Sequence, residues 1–428
     1  MRATKPLFVA VVCLAAIFGS LTSASRAQAA TKFQVLHKFH GKDGQSPWAG
    51  VTLDAAGNLY GTTAWGGDPT CACGTVFELT PGANRKWTDR VLHAFKGTDG
   101  SYPFSTLVFD SAGNLYGTTN AYGSPAGKRD SGVEQDGNVF ELTPDGNGKW
   151  SETVLHAFDG ADGQYPWAGV ILDAAGNLYG TTAYGGSDKG TCYHTRCGVV
   201  FKLSPGTGGK WSDTTLLTFN LWNGAAPFNG LARDAAGNLY GTTSIGSSKG
   251  GDVFRLTLGA KGEWTERVLG HAAGPNAVIL DAAGNLYATA SSGGNYLRCY
   301  SGCGTVFELV PTSKGKWTEK ILHTFQNGKD GAQPVGGLIF DRAGNLYGMT
   351  AMGGAYARYG TVFKLTPHTN GKWTNTVIHS FNGKDGSEPS GALVLDPAGN
   401  LYGTTFLGGY FKGCGNPDGC GVVFKITP

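Results

Sequence analysis

Seven copies of one short motif constrain this chain more than any other feature of its sequence. GNLYGTT occurs five times, and the altered copies GNLYATA and GNLYGMT complete the set. The motif asparagines are Asn58, Asn114, Asn177, Asn238, Asn285, Asn345 and Asn400. A period of roughly 50 to 60 residues is typical of propeller blades or solenoid units. The repeat therefore predicts the architecture, although architecture alone does not determine function.

Each repeat predicts four short strands, here named A to D. In the first unit these are GVTLD from Gly50, NLYGTTA from Asn58, GTVFELTP from Gly74 and WTDRVLHAF from Trp87. β-Branched and aromatic residues dominate the segments, turn-forming residues separate them, and none has a helical period. The A strands are apolar at every position, which predicts an innermost strand buried on both faces. The alternating D strands suit the outer edge.

The two ends of the chain predict a closed ring. The repeats are preceded by a lone D strand, Phe33 to Phe39, and followed by a lone C strand, Gly421 to Pro428. The first strand completes the last blade and so hides the edges of the sheet. We therefore predict an all-β fold for residues 30–428, a seven-bladed β-propeller of four-stranded antiparallel blades.

The first 29 residues predict a signal peptide. Arg2 and Lys5 precede an apolar run from Leu7 to Phe18, and Ala27 to Ala29 form an AxA cleavage site. The run is too short to span a bilayer comfortably, and no other apolar stretch approaches the length of a membrane span. We expect residues 1–29 to be removed, and the mature protein to be secreted or periplasmic.

Charge excludes one class of partner. The chain has 34 Lys and Arg residues and 31 Asp and Glu residues, and the signal carries three of the basic ones, Arg2, Lys5 and Arg26. The mature protein is then formally neutral, which does not fit a surface that tracks phosphates. We expect no nucleic-acid partner and a monomeric protein.

The motifs also resemble those of a known family. GLxxDxxGNLYGTTxxGG, GTVFxLTP and WTExVLHxFxGxDGxxPxxGL together cover residues 33 to 428. They are similar to the GloVer tandem-repeat proteins, bacterial surface or secreted proteins that commonly carry one of several C-terminal anchors. The resemblance implies an exported repeat protein and brings no established activity or catalytic residues. Because nothing after Pro428 matches an anchor, we expect a soluble product or one held by a partner.

Eight cysteines remain after signal removal, and all lie between strands B and C of alternate blades. Their even number and local spacing predict disulfides rather than a metal site, because ligands spread around a ring do not converge on one ion. A bridge across one residue is strained, so exchange between the first pair and the last stays open. The pairs are Cys71 with Cys73, Cys192 with Cys197, Cys299 with Cys303, and Cys414 with Cys420.

No catalytic signature, metal motif or cofactor motif is present. One group of histidines shares a single position in strand D and is therefore interpreted as part of the repeat; its members are His37, His93, His156, His323 and His379. The DGxxP loops between D and the next A carry Asp43, Asp99, Asp162, Asp330 and Asp385, with Asn223 in the fourth copy. A carboxylate ring could bind calcium, but DG is ordinary turn chemistry and clustered oxygen ligands are missing. We expect no catalytic residue, no metal and no cofactor.

Departures from the repeat are more informative about function. Two loop positions on one expected face are aromatic only in the first four blades: Trp48, Phe104, Trp167 and Phe228 after the loop proline, and Trp65, Tyr122 and Tyr184 after strand B. Such rings suit stacking on sugars or on a peptide, or they cap the packing between blades. The second blade also has a long charged loop from Asn120 to Asn138. Arg233 replaces a residue that is apolar in the other A strands. Because a charge there needs a partner or water, this arginine either points into the axial channel or marks an irregularity of its blade.

These observations lead to one preferred function and two alternatives. The preferred one is an exported binding module rather than an enzyme, and it recognises an extracellular carbohydrate or a cell-envelope protein through the aromatic face of blades one to four. One alternative is a propeller-type polysaccharide lyase or glycosidase, with Asp, His or Tyr side chains and Arg233 acting on a glycan. The other is a structural surface repeat without a specific ligand.

Overall fold

Each copy of the repeat folds into a four-stranded antiparallel sheet. The computed structural model describes residues 31–121, 136–186, 197–246, 250–313, 315–412, 414 and 416–428. In this part of the chain, seven sheets have the strand order A-B-C-D, and Thr31–Pro428 form one compact unit. The predicted seven-bladed propeller is confirmed. The predicted signal peptide, residues 1–29, lies outside the described residues.

The strands are numbered in chain order. The closing strand and the first three blades are β1 (Lys32–Lys38); β2 (Thr52–Leu53), β3 (Leu59–Thr63), β4 (Thr75–Pro81) and β5 (Trp87–Ala94); β6 (Val108–Phe109), β7 (Leu115–Thr119), β8 (Asn138–Pro144) and β9 (Trp150–Ala157); β10 (Ile171–Leu172), β11 (Leu178–Thr182), β12 (Val199–Pro205) and β13 (Trp211–Thr218). Blades four to seven are β14 (Ala232–Arg233), β15 (Leu239–Thr243), β16 (Gly251–Leu258) and β17 (Trp264–Ala272); β18 (Ile279–Leu280), β19 (Leu286–Ala290), β20 (Thr305–Pro311) and β21 (Trp317–Thr324); β22 (Ala332–Phe340), β23 (Leu346–Met352), β24 (Thr361–Pro367) and β25 (Trp373–Ser380); β26 (Ser387–Leu395), β27 (Leu401–Leu407) and β28 (Val422–Thr427). Short 3₁₀ turns span Ala83–Arg85 and Thr207–Gly209.

The two ends of the chain close the ring. β1 pairs antiparallel with β28, with Lys32 opposite Thr427 and Phe33 opposite Ile426. The resulting sheet has the order β1-β28-β27-β26. The first strand of the chain is therefore the outer strand of the last blade, as the sequence predicts. This pairing gives β28 a neighbour on both sides, so it is not an open edge.

Each motif residue has a local structural role, and that role recurs from blade to blade. In the first copy, the glycine at position 61 leaves room for a ring of strand C, because a Cβ there would lie 2.6 Å from Cζ of Phe77. Thr62 donates its hydroxyl to the carbonyl of Ser105 in the next blade, at 3.0 Å. Equivalent hydroxyls of Thr181 and Thr404 reach the following blade in the same way. The motif thus builds strand B and fastens it to its neighbour.

The A–B turn uses its aspartate as an acceptor of several hydrogen bonds. Oδ1 of Asp54 accepts from the backbone nitrogens of Ala56 and Asn58, and Oδ2 accepts from the Asn58 amide and the Tyr60 hydroxyl. Gly57 has a φ of 88°, which favours glycine. The interpretation of these residues as turn chemistry is confirmed.

The core lies between the faces of adjacent blades. One of its clusters joins Tyr60, Val76 and Phe95 of the first blade to Leu107 and Phe140 of the second. Similar clusters occupy the other junctions, and the phenylalanines of strand C and of the D strand ends are fully buried. Each blade thus depends on its neighbours for burial of its apolar residues.

The inner strands differ from the prediction of strands buried on both faces. In blades one to five the paired A strand is two residues long, and its residues are half-buried except for the exposed Arg233 of β14. In the last two blades the A strand runs for nine residues. The short strands end beside the A–B turns at the surface, and the fully enclosed residue is the one just before the paired strand, such as Val170 before β10. Near the axis the blades touch through backbone, since a Cβ on Gly391 would lie 2.0 Å from the nitrogen of Gly50.

Candidate functional site

The loops before strand A and after strand B meet on one face of the propeller. Because the strands alternate in direction, the D–A loop enters a blade at the same end at which strand B leaves it. Isolated bridges join the two loops directly, between Gln45 and Trp65 in the first blade and between Gln164 and Tyr184 in the third. The structure therefore brings the two predicted sets of aromatic positions together.

Seven rings from five consecutive blades form one contiguous group, the aromatic cluster. Phe104 and Trp167 stack, with centroids 4.6 Å apart and planes 10° from parallel. Trp48 meets Phe104 edge-on at 5.8 Å and reaches Trp167, two blades away, at 6.3 Å. Ring contacts of 5.0 to 6.3 Å connect the remaining members. The cluster consists of Trp48, Trp65, Phe104, Trp167, Tyr184, Phe228 and Phe406.

A break in backbone pairing accompanies the inner rings of this cluster. Trp48 lies between the bridge Gln45–Trp65 and the ladder that begins at Thr52, in a segment that pairs with no strand. At the corresponding positions of the last two blades, Val335 and Ser390 stay in the ladder with strand B. A residue outside the ladder is free of the alternation that turns strand side chains into the core. The aromatic positions therefore coincide with irregular inner strands.

The rings are exposed to different degrees. Trp48 is 41% exposed, whereas the other members are half-buried because each covers part of its neighbour. The cluster thus presents edges and one largely open indole rather than a row of free flat platforms. Edge-to-face contacts of this kind also rigidify the rings before any ligand arrives.

One member of the cluster is absent from the sequence prediction, and one predicted residue cannot be placed. Phe406 occupies the position that is Ala64 in the first blade, one residue before the position compared in the sequence. The same alignment, read at the adjacent position, would have found it. Tyr122 lies outside the described residues, as does most of the charged loop between Asn120 and Asn138.

The same face carries further exposed apolar side chains on the B–C loops of blades five to seven. Their exposures range from 39% for Tyr410 to essentially complete for Tyr300. They are not in ring contact with the aromatic cluster among the described residues. This second set consists of Tyr296, Leu297, Tyr300, Tyr356, Tyr410 and Phe411.

Arg233 does not belong to the aromatic cluster. It ends the short strand β14, and its side chain is exposed. Its guanidinium lies over its own A–B turn, since a Cβ at Gly237 would be 3.2 Å from Nη2. The A–B turns are at the opposite end of the blades from the D–A loops. The two interpretations offered by the sequence, a channel-facing side chain and a local irregularity of the fourth blade, both stay predictions.

Carboxylates at the A–B turn end are already occupied by turn hydrogen bonds. A shallow pocket of about 490 Å³ there is lined by Asp54, Asp396 and Tyr402. Both aspartates accept hydrogen bonds from the asparagine and tyrosine of their own turns. Burial raises the pKa of Asp396, but the hydrogen bonds outweigh it, and that pKa lies below its usual range. Asp396 is therefore a structural anion rather than a poised acid.

The strand D histidines and the loop aspartates form repeated pairs. Nε2 of His37 lies 2.9 Å from Oδ2 of Asp43, and the equivalent distances in the other pairs are 2.8 to 3.4 Å. Burial raises the pKa of Asp43, but hydrogen bonds from His37 and from the His40 backbone outweigh it and lower that pKa. The turn interpretation of the aspartates is confirmed, and each turn is additionally tied to a histidine.

Two described groups place three possible metal ligands within 4.8 Å of one another. They are His37, His40 and Asp43, and His156, Asp162 and Asp213.

The described cysteines form local disulfides. Cys71 is bonded to Cys73, Cys299 to Cys303 and Cys414 to Cys420, so the exchange between the first and last pairs is not found. Cys197 is also disulfide-bonded, while Cys192 lies outside the described residues. Bridges of this kind are typical of an oxidising compartment. Among the described residues, no helix has the length and apolar character needed to cross a membrane.

Comparison with known proteins identifies the repeat. A luciferin-regenerating enzyme is similar over 93% of this chain and 96% of its own, with 13% identity and a TM-score of 0.44. The PQQ-bound aldose sugar dehydrogenase from Streptomyces coelicolor is similar over 93% and 98%, with 12% identity and a TM-score of 0.44. Comparison with curated protein sequences finds no match. The family model for the Gloeobacter/Verrucomicrobia repeat matches residues 18–128, 126–272 and 274–428. The chain therefore belongs to the Gloeobacter/Verrucomicrobia repeat family, as its GloVer-like motifs predict.

Proposed function

We propose that this protein is an exported binding module that recognises an extracellular carbohydrate, or a cell-envelope partner that bears one, through the aromatic cluster. The observation that carries the proposal is the contiguous set of rings centred on Trp48, which is 41% exposed. A residue needed for the fold recurs in every blade, whereas the aromatic residues of this cluster do not, so the fold alone does not account for them. Aromatic rings on rigid loops offer sugar rings an apolar contact at low cost in conformational entropy.

The geometry narrows how a sugar would bind. The stacked faces of Phe104 and Trp167 cover each other, so neither inner face is available to a ligand. The open surface belongs to Trp48, with edges of Phe104 and Phe406 around it. In this mode of binding, one pyranose ring stacks on the Trp48 indole, and the adjacent sugar units lie along the aromatic cluster. The disulfides and the predicted signal peptide support a secreted or periplasmic location.

A polysaccharide and glycan screen tests the proposal, scored both for retention and for release of product. We expect retention without product release. Replacing Trp48 by alanine should weaken binding about tenfold, equivalent to about 1.4 kcal/mol for loss of one stacking ring. The double variant Trp48→Ala, Trp167→Ala should weaken it further.

Trp222→Ala is the matched control. Trp222 is 94% exposed and has no ring contact with another described aromatic residue. It should bind as the wild type does. Unchanged retention by the double variant would remove the aromatic cluster as the binding surface, and release of shortened glycan would replace the binding module by an enzyme.

A further inference from the structure

His40 departs from the repeat at the junction between the last blade and the first. Five other loops have Lys96, Asp159, Asn220, Gln326 or Asn382 at this position, next to the end of strand D. The histidine and aspartate of strand D and its turn recur around the ring, so His37 and Asp43 alone are unremarkable. His40 adds a second imidazole to one pair only.

The three side chains converge with spacings close to those of a metal site. Nε2 of His37 is 2.9 Å, and Nδ1 of His40 is 3.4 Å, from the same oxygen, Oδ2 of Asp43. All three donor atoms lie within 4.8 Å of one another. Around a tetrahedral zinc ion with bonds of about 2.0 to 2.1 Å, ligand atoms are about 3.4 Å apart. Small side-chain rotations would bring these atoms to that geometry.

Three neighbouring groups lie beside these side chains. Nδ1 of His37 faces Oδ1 of Asp89 at 3.9 Å. A carboxylate on this side commonly orients a metal-binding histidine through its second nitrogen, and a small rotation of the exposed Asp89 side chain would bring it into hydrogen-bond distance. Oδ1 of Asp43 accepts a 2.8 Å hydrogen bond from the backbone of His40, which leaves Oδ2 to the imidazoles. The ring of Tyr410 lies against that of His40, with centroids 4.6 Å apart.

We propose that His37, His40 and Asp43 form a binding site for a divalent transition-metal ion, with zinc the ion that fits best and water in the fourth position. Two imidazole nitrogens and one carboxylate oxygen are a zinc-type donor set rather than a calcium or magnesium one. His37 lies on β1, and the other two ligands lie on the loop that leads into the first blade. A bound ion therefore links the strand that closes the ring to the blade that follows it.

Calorimetric titration of the tag-free, metal-stripped full chain with zinc chloride at pH 7.5 tests the site. We expect one zinc per chain with a dissociation constant of about 10 µM or lower, and a rise in melting temperature on binding. Cobalt should bind with the visible absorption of a tetrahedral complex. His40→Ala should weaken zinc binding by at least roughly 100-fold, and Asp89→Asn by about tenfold.

Two further variants make the result specific. Asp213→Asn alters the other group of three possible ligands and should leave zinc affinity unchanged. Lys96→His adds the missing imidazole beside the His93–Asp99 pair, where Glu152 takes the place of Asp89, and should raise the stoichiometry toward two. His40 is 52% exposed, so His40→Ala should unfold like the wild type when no zinc is present. No binding at about 100 µM zinc, or zinc binding that survives His40→Ala, overturns the proposal.

Discussion

Two glutamates on outer strands should make the propeller less stable as pH rises from about 5 to about 7. Glu152 on β9 lies near His93 and Asp99 of the preceding blade. Burial raises the pKa of Glu152 to about 7, with the charge of His93 opposing that change and the charge of Asp99 adding to it. Burial likewise raises the pKa of Glu266 to about 7. Oε1 of each is enclosed without a hydrogen-bond partner among the described residues.

The direction of this pH effect on stability follows from proton linkage. In the unfolded chain a glutamate titrates near 4.5, so between about 4.5 and 7 the folded protein holds protons that the unfolded chain has lost. The fold is therefore favoured below that range, and the advantage is lost as pH rises through it. The full shift would be worth about 3.4 kcal/mol at 1.36 kcal/mol per pKa unit. Because both side chains are partly exposed and solvent screens them, we take about 1 kcal/mol for each.

The double variant Glu152→Gln, Glu266→Gln removes the ionisation and keeps the shape. At pH 8 it should be about 2 kcal/mol more stable than the wild type, because the two sites are far apart and their effects add. For roughly 400 residues this corresponds to a melting temperature about 2 °C higher. At pH 4.5 the difference should disappear. Scanning calorimetry across pH 4.5 to 8 measures both.

Glu319→Gln is the control for this experiment. Glu319 has the same position in the fifth blade, but it is exposed, and Gly270 replaces the histidine of the preceding strand. Because this side chain is exposed, its substitution should leave the melting temperature at pH 8 close to that of the wild type. A constant offset between the double variant and the wild type from pH 4.5 to 8, or a lower melting temperature at pH 8, would refute the reasoning.

The remaining predictions concern packing and hydrogen bonds, and urea unfolding monitored by tryptophan fluorescence checks them. Gly391→Ala should destabilise the fold by at least about 3 kcal/mol, because its Cβ would lie 2.0 Å from the Gly50 nitrogen, whereas Gly399→Ala, with open space around it, should cost about 1 kcal/mol of backbone strain. Equal losses would contradict contact between the blades at the axis. Tyr60→Phe removes the single hydroxyl proton that the carboxylates of Asp54 and Glu78 share, and it should cost about 3 kcal/mol, the upper end for a hydrogen bond to charged groups. Tyr179→Phe removes a proton donated to one carboxylate and should cost about 1.5 kcal/mol. A larger loss for Tyr179→Phe would argue against this account.

The fold could be predicted from the sequence because each motif residue answers a local need. Gly61 makes room for Phe77, and Asp54 closes a turn of five residues. Needs of this kind repeat with every blade and therefore appear as a periodic pattern. The closing strand could be predicted for the same reason, since a D strand without its A, B and C partners stands out at the start of the chain.

The candidate site could be predicted only in part, because it depends on contacts between blades. Trp48 and Phe406 touch at 5.0 Å although they are far apart in sequence, and no periodic pattern encodes that meeting. Ring exposure could not be predicted either, since it depends on how far each ring covers the next. His40 and Asp43 are three residues apart in the sequence. Because Asp43 matches the recurring turn, that segment is interpreted as a turn, and the additional imidazole of His40 does not enter that interpretation.

The pairing of β1 with β28 has a consequence for how the propeller comes apart. In an open array of repeats, the end units have one neighbour and fray first. Here the first and last strands hold each other, so no blade is terminal. Among the described residues no strand pairing has a longer sequence separation, with Lys32 opposite Thr427. Its loop-closure cost is therefore the largest, which places it late in folding. The ring should accordingly melt as one cooperative unit, and a chain cut short before β28 should lose that cooperativity, although six of its blades would still be complete.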